Sequence, residues 1–169
     1  MRWVYRVWQF FTRLAACPDP TQLDQARDLL PEAAFRLFSR MRRGDMVHAL
    51  CVYRRLLGLG IEDLDLLQAA LLHDVGKVEG RLSLARRSII VLLEGFGRGL
   101  GDLATDPSPA SWRYPFYVHV HHAEIGADLC HQAGCSDRVT RLVLYHKDSG
   151  SLAELPSGLD LLQAADDRC

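Results

Sequence analysis

Residues 69–77 read Ala69-Ala70-Leu71-Leu72-His73-Asp74-Val75-Gly76-Lys77. An apolar segment runs straight into an imidazole and a carboxylate, then a glycine and a lysine. The segment starts near Asp63 and carries Leu66, Leu67, Ala70 and Leu71 at helical spacing, so it reads as a helix with a buried face. Burying an Asp without a partner costs several kcal/mol, and a helix end this apolar therefore implies that His73 and Asp74 are compensated. A hydrogen-bonded His–Asp pair capping the helix would do so. A bound cation would satisfy a carboxylate and a neutral imidazole together.

The same helical patterning extends outward in both directions, between short Gly, Pro and Asp punctuation. Upstream, helices are expected over about 2–16, 21–30 and 31–41, with Pro31 suited to a first turn. Asp45 is a candidate N-cap for a helix through Leu57, ended by Gly58 and Gly60. Downstream, a long helix is expected over about 83–104, a Pro/Ser loop at Asp106-Pro107-Ser108-Pro109, and helices around 115–133, 136–147 and 157–167. Tyr117-Val118-His119-Val120-His121 alternates like a strand, but five residues do not overturn the helical pattern around them. The expected fold class is all-α, a single-domain helical bundle.

Composition agrees with a globular chain of this kind. Of 169 residues, 49% are hydrophobic and 24% charged, and the formal net charge is −1. That balance argues against a polybasic nucleic-acid binder, so no nucleic-acid partner is expected. Apolar runs fall short of a membrane span. The five cysteines show no C-x-x-C pair and no regular spacing, and read as reduced thiols of a cytoplasmic protein. Near the start, Trp3, Val7, Phe10, Phe11 and Leu14 share one helix side, which fits a helix docked on the domain better than one lying on a membrane. Trp3, Trp8 and Phe11 are also a candidate homodimer contact.

Seven histidines carry more information than the net charge. His48 sits amid Met46, Val47, Leu50 and Cys51; His122 lies in His121-His122-Ala123-Glu124-Ile125-Gly126-Ala127; His146 follows Val143-Leu144-Tyr145; Asp166 follows Ala164-Ala165. Each lies in or just past an apolar helical run, where a polar side chain needs a reason. Helices of a bundle can aim such groups at one core site, as in other helical metalloproteins.

This arrangement resembles the HD-domain superfamily of metal-dependent phosphohydrolases, whose pattern of a His, a His-Asp pair and a distal Asp is matched by His48, His73-Asp74 and Asp166. The His-Asp-x-Gly-Lys form, with Gly76 and Lys77, is typical of one branch, as is the His-x-Glu-x-Gly-Ala run from His122 followed by a helix ending in Tyr145-His146. The resemblance covers about residues 41–167, leaving residues 1–40 as an N-terminal helical extension packed on an HD-type domain over 41–169. Lys147 follows His146, and no Gly-Tyr-Pro signature appears, so a cyclic dinucleotide substrate is not expected.

The resemblance implies that His48, His73, Asp74 and Asp166 hold a first metal ion and that His122 and His146 complete a second, with Asp74 bridging. These N and O donors suit Mn, Fe, Ni, Co or Mg, and the absence of thiolates disfavours structural zinc. Two ions about 3.5–4 Å apart would activate a hydroxide for attack on phosphorus, with Asp74 in the catalytic centre and Lys77 contacting a phosphate oxygen. The implied function is hydrolysis of a phosphoester in a small phosphorylated metabolite, a nucleotide being the foremost candidate. The alternative on the same fold is a non-catalytic metal-binding sensor or interaction module. Weaker candidates are His119 and His121 near the pocket, Glu124 orienting a ligand histidine, Asp160 in place of Asp166, and Arg86, Arg87 and Arg98 steering an anion.

Overall fold

A computed structural model describes residues 17–80, 103–148 and 155–169. The first described helix is α1 (Pro20–Leu29), where Asp19 caps the helix by accepting from the Thr21 amide at 2.9 Å and a proline occupies the first turn. After Pro31 comes α2 (Glu32–Ser39), and then α3 (Arg43–Gly58). Asp45 does not cap α3: the helix starts earlier, after an extended Arg42, and Asp45 lies in its first turn, where a carboxylate still meets the positive end of the dipole. Gly58 is the last helical residue rather than the stop. The stop is Gly60, whose φ of +76° lets the amides of Gly60 and Ile61 close back on the carbonyls of Leu57 and Leu56.

Next is α4 (Leu64–Leu72), capped by Asp63, which accepts from the Leu66 amide at 3.2 Å. Every residue from Leu66 to Leu72 is buried. His73 keeps helical torsions past the end of α4, and the chain then tightens into the 3-10 segment η1 (Val75–Gly80). The longest described helix, α5 (Tyr114–Gln132), contains the stretch 117–121 that alternates in sequence, and only His121 departs from helical torsions within it. Ser136 caps α6 (Asp137–Tyr145), and α7 (Leu159–Asp166) ends the fold. Among the described residues there is no strand. The long helix expected over about 83–104 lies outside them, apart from a turn at 103–104, as do the N-terminal helix over 2–16 and the candidate dimer contact.

The α4 helix is the centre of the packing. It touches α3, α6 and α7, while α5 lies along both η1 and α6. Ala26, Ala34 and Phe38 of the first two helices, with Leu30 just past the end of α1, belong to the same buried cluster as Leu50, Leu56, Leu71, Leu142 and Leu162. Gln68 reaches from α4 to donate to the Leu29 carbonyl at 2.8 Å, tying the end of α1 to it. No helix among the described residues is long and apolar enough to cross a membrane.

One cysteine expectation is corrected. Cys51 on α3 and Cys169 at the chain end form a disulfide across a sequence separation of 118. The cysteine pattern therefore gives no support to a reducing compartment. Cys17 is an exposed free thiol, and Cys130 and Cys135 are buried ones. Cys130 donates to Cys135, and that bond together with burial pushes its thiol up.

Candidate metal centre

Five structural elements deliver the six singled-out side chains to one place. His48 comes from the middle of α3, His73 and Asp74 from the junction of α4 and η1, and His122 from α5 just after the irregular His121. His146 caps the end of α6, and Asp166 closes α7. His73, Asp74, His122 and His146 are all buried. Neighbouring rings meet edge to face, with centroids 5.2 Å apart for His48–His73, 5.3 Å for His73–His146 and 5.2 Å for His122–His146.

A backbone approach makes this convergence possible. An alanine Cβ at Gly76 would lie 2.0 Å from the His122 carbonyl oxygen and 2.7 Å from the Gly126 amide nitrogen. Only a residue without Cβ lets η1 sit this close to α5, which brings Asp74 and His122 together.

Asp74 divides its two oxygens. Oδ2 lies 3.5 Å from His73 Nε2 and 3.9 Å from His48 Nε2, while Oδ1 lies 3.3 Å from His122 Nε2 and 3.8 Å from His146 Nε2. Two donor groups therefore share one carboxylate, His48–His73–Asp74 and Asp74–His122–His146, each with its ligand atoms within 4.8 Å of one another. Asp166 Oδ1 joins the first group, 2.7 Å from His48 Nε2 and 3.7 Å from His73 Nε2.

The ring nitrogens reveal what these groups are prepared for. His73 Nδ1 lies 2.9 Å from the Ala70 carbonyl oxygen, His122 Nδ1 2.7 Å from that of His119, and His146 Nδ1 2.7 Å from that of Val143. A carbonyl can only accept, so each Nδ1 carries the hydrogen and each Nε2 of the neutral ring is left with a lone pair. Those three Nε2 atoms and Asp74 Oδ1 are buried without a hydrogen-bond partner, as is His48 Nδ1. Lone pairs facing a carboxylate oxygen across 3.3–3.8 Å repel unless a cation or proton lies between them. The donor set fits a divalent cation of the borderline or hard type.

The electrostatics favour the metal-ready protonation state. Burial alone would raise the Asp74 carboxyl, but the Lys77 ammonium beside it holds it well below the usual carboxylate range. Asp166 is likewise held low against burial, by its bond to His48. Burial depresses His73, and burial with the neighbouring His73 brings His146 to about 3. Near neutral pH these groups are thus ionised carboxylates and neutral imidazoles, the forms that ligate metals. Lys77 Nζ lies 2.6 Å from Asp74 Oδ2.

The weaker candidates separate cleanly. His121 stacks on Tyr117 with centroids 4.4 Å apart and lies 3.7 Å from the exposed Glu124, so Glu124 partners His121 rather than a clustered histidine. His119 contributes its carbonyl to His122. Asp160 and Asp167 are exposed, and Arg86, Arg87 and Arg98 lie outside the described residues. Gln163 was not singled out by the sequence, yet its amide donates to the carbonyls of Asp148 at 2.8 Å and His146 at 3.2 Å, clamping the end of α6 to α7. The only local signal is a polar residue one turn before Asp166.

Compared with known protein families, with curated proteins and with solved structures, the chain finds no match.

Proposed function

We infer that the cluster is a divalent-metal centre of a phosphohydrolase, with the HD-domain architecture that the His48, His73-Asp74 and Asp166 pattern resembles. The observation that supports this reading most is the single carboxylate of Asp74, with a different imidazole pair at each oxygen and every buried Nε2 among His73, His122 and His146 unpartnered. His48, His73, Asp74 and Asp166 would hold one ion, and Asp74, His122 and His146 a second. Bound there, such ions lower the pKa of water and stabilise charge on phosphoryl oxygens.

The chain's own residues supply the rest. Asp74 fixes the spacing of the two donor groups. Lys77 is the ammonium nearest Asp74 and is partly exposed, which suits it to meet an anionic substrate. The substrate class is a small phosphorylated metabolite, a nucleotide foremost. The test pairs metal analysis of the purified protein with hydrolysis assays over nucleotides and phosphoesters in Mn, Co and Ni. Metal occupancy that Asp74→Ala abolishes, with hydrolysis that follows occupancy, is the expected result. Full occupancy without hydrolysis of any phosphoester would replace the enzyme with a metal-binding sensor.

A further inference from the structure

The Cys51–Cys169 disulfide joins the two elements that carry His48 and Asp166. Cys51 is one helical turn beyond His48 on α3, and Cys169 lies three residues beyond Asp166, past the end of α7. Beside it, Arg55 donates to the Arg168 carbonyl at 2.8 Å, a second tie between the same elements. Both halves of the disulfide lie within one helical turn of the 2.7 Å contact between His48 Nε2 and Asp166 Oδ1.

The disulfide is also reachable. A groove of about 490 Å³ is lined by Cys51, Arg54, Arg55, Ala164, Ala165 and Arg168. Its guanidinium groups favour the approach of an anionic thiolate and stabilise the thiolate expelled on exchange.

We propose that this disulfide is a redox latch on the metal centre, opened by a low-molecular-weight thiol, and that opening it weakens binding of the ion held by His48 and Asp166. The proposal rests on the metal-centre reading above. In the reaction, the reductant's thiolate attacks the Cys51 sulfur in the groove, forming a mixed disulfide and expelling the Cys169 thiolate, which takes a proton. A second reductant thiol then displaces Cys51. The protein disulfide gains two electrons and two protons and becomes two thiols, and the two reductant thiols become one disulfide. Released from Cys51, the segment after Asp166 is no longer anchored to α3. His48 and Asp166 then lose their enforced proximity, as happens when a support behind a metal ligand is removed.

The test titrates Mn²⁺ by calorimetry into the full chain, because manganese avoids the free thiols that reduction creates. Reducing the wild-type protein with a phosphine should weaken one of the two Mn²⁺ sites, the one that Asp166→Asn removes, about tenfold or more. Cys51→Ser should match the reduced protein and not respond to the phosphine. In Asp166→Asn, reduction should make no further difference. Because coupling is reciprocal, saturating Mn²⁺ should shift the disulfide potential about 30 mV more negative for each tenfold change. Amide exchange on the metal-free chain gives a readout that needs no ion: reduction should speed exchange in α7 and leave α5 unchanged. Unaltered Mn²⁺ affinity and unaltered α7 exchange on reduction would overturn the latch, and so would loss of the whole helical circular-dichroism signal. An oxidised protein that binds no Mn²⁺ would instead overturn the metal reading, whatever α7 does.

Discussion

Replacing Gly76 with alanine tests the backbone contact on which the site depends. The added Cβ would lie 2.0 Å from the His122 carbonyl oxygen and 2.7 Å from the Gly126 amide nitrogen, and both atoms belong to the backbone of α5. No rotamer change relieves such a clash, so η1 and α5 must part by more than an ångström. Overpacking of this kind costs about 1–3 kcal/mol where side chains can adjust, and a backbone against a backbone belongs at the upper end, about 3 kcal/mol. For a chain of 169 residues this corresponds to a fall in melting temperature of about 6–12 °C. The displacement also carries His122 away from Asp74 Oδ1, now 3.3 Å distant, so the second ion should bind about 10- to 100-fold more weakly. Gly58→Ala is the matched control. A Cβ there meets nothing within 4 Å, and the position is helical, so the change should be neutral or stabilise by about 0.5 kcal/mol. Differential scanning calorimetry and Mn²⁺ titration of both variants read the two quantities separately. A Gly76→Ala protein that melts within a degree or two of wild type with unchanged Mn²⁺ affinity would refute the packing argument.

Further outcomes follow from the same geometry. His146 is brought to about 3 in the folded chain from an ordinary 6.5, so below the higher value the unfolded chain binds more protons and stability falls with pH; metal-free protein should lose about 2 kcal/mol from this group between pH 7 and pH 5, read from urea midpoints. Asp166→Asn should take bound Mn²⁺ from two ions per chain to one, because Asp74, His122 and His146 keep their donor set; elemental analysis giving two in both proteins would count against the assignment of Asp166. Gln163→Ala removes the amide that bonds the Asp148 and His146 carbonyls, and should cost about 1 kcal/mol in urea unfolding while speeding amide exchange at the end of α6; unchanged exchange there would show that the clamp does not hold His146.

The all-α class was legible because its signals are local. The helix start near Asp63, the apolar run from Leu66 to Leu72 and Pro31 at the head of α2 all act within a few residues. The candidate site was legible for a related reason: each of His48, His73, His122 and His146 interrupts an apolar helical stretch, and the helices that bury those stretches bring the interruptions together. Other features depend on contacts the sequence does not display. Cys51 and Cys169 pair because α3 and the chain end converge, and nothing in a separation of 118 residues announces it. Asp45 looks like a cap by type, but the start of α3 is set by the extended Arg42 before it. Glu124 follows His121 by three residues on α5 and lies 3.7 Å from its Nδ1, so it sits beside His121 and not beside His122.

The bonds from three imidazoles to carbonyls three residues behind them have a consequence for how an ion would enter. Each ring's direction is dictated by its own stretch of chain, so the cage is shaped before any guest arrives. Little side-chain freedom remains to be frozen at the moment of capture. Selectivity among cations would then be governed by size and coordination taste, because the walls are in no position to remould themselves around a poorly fitting guest.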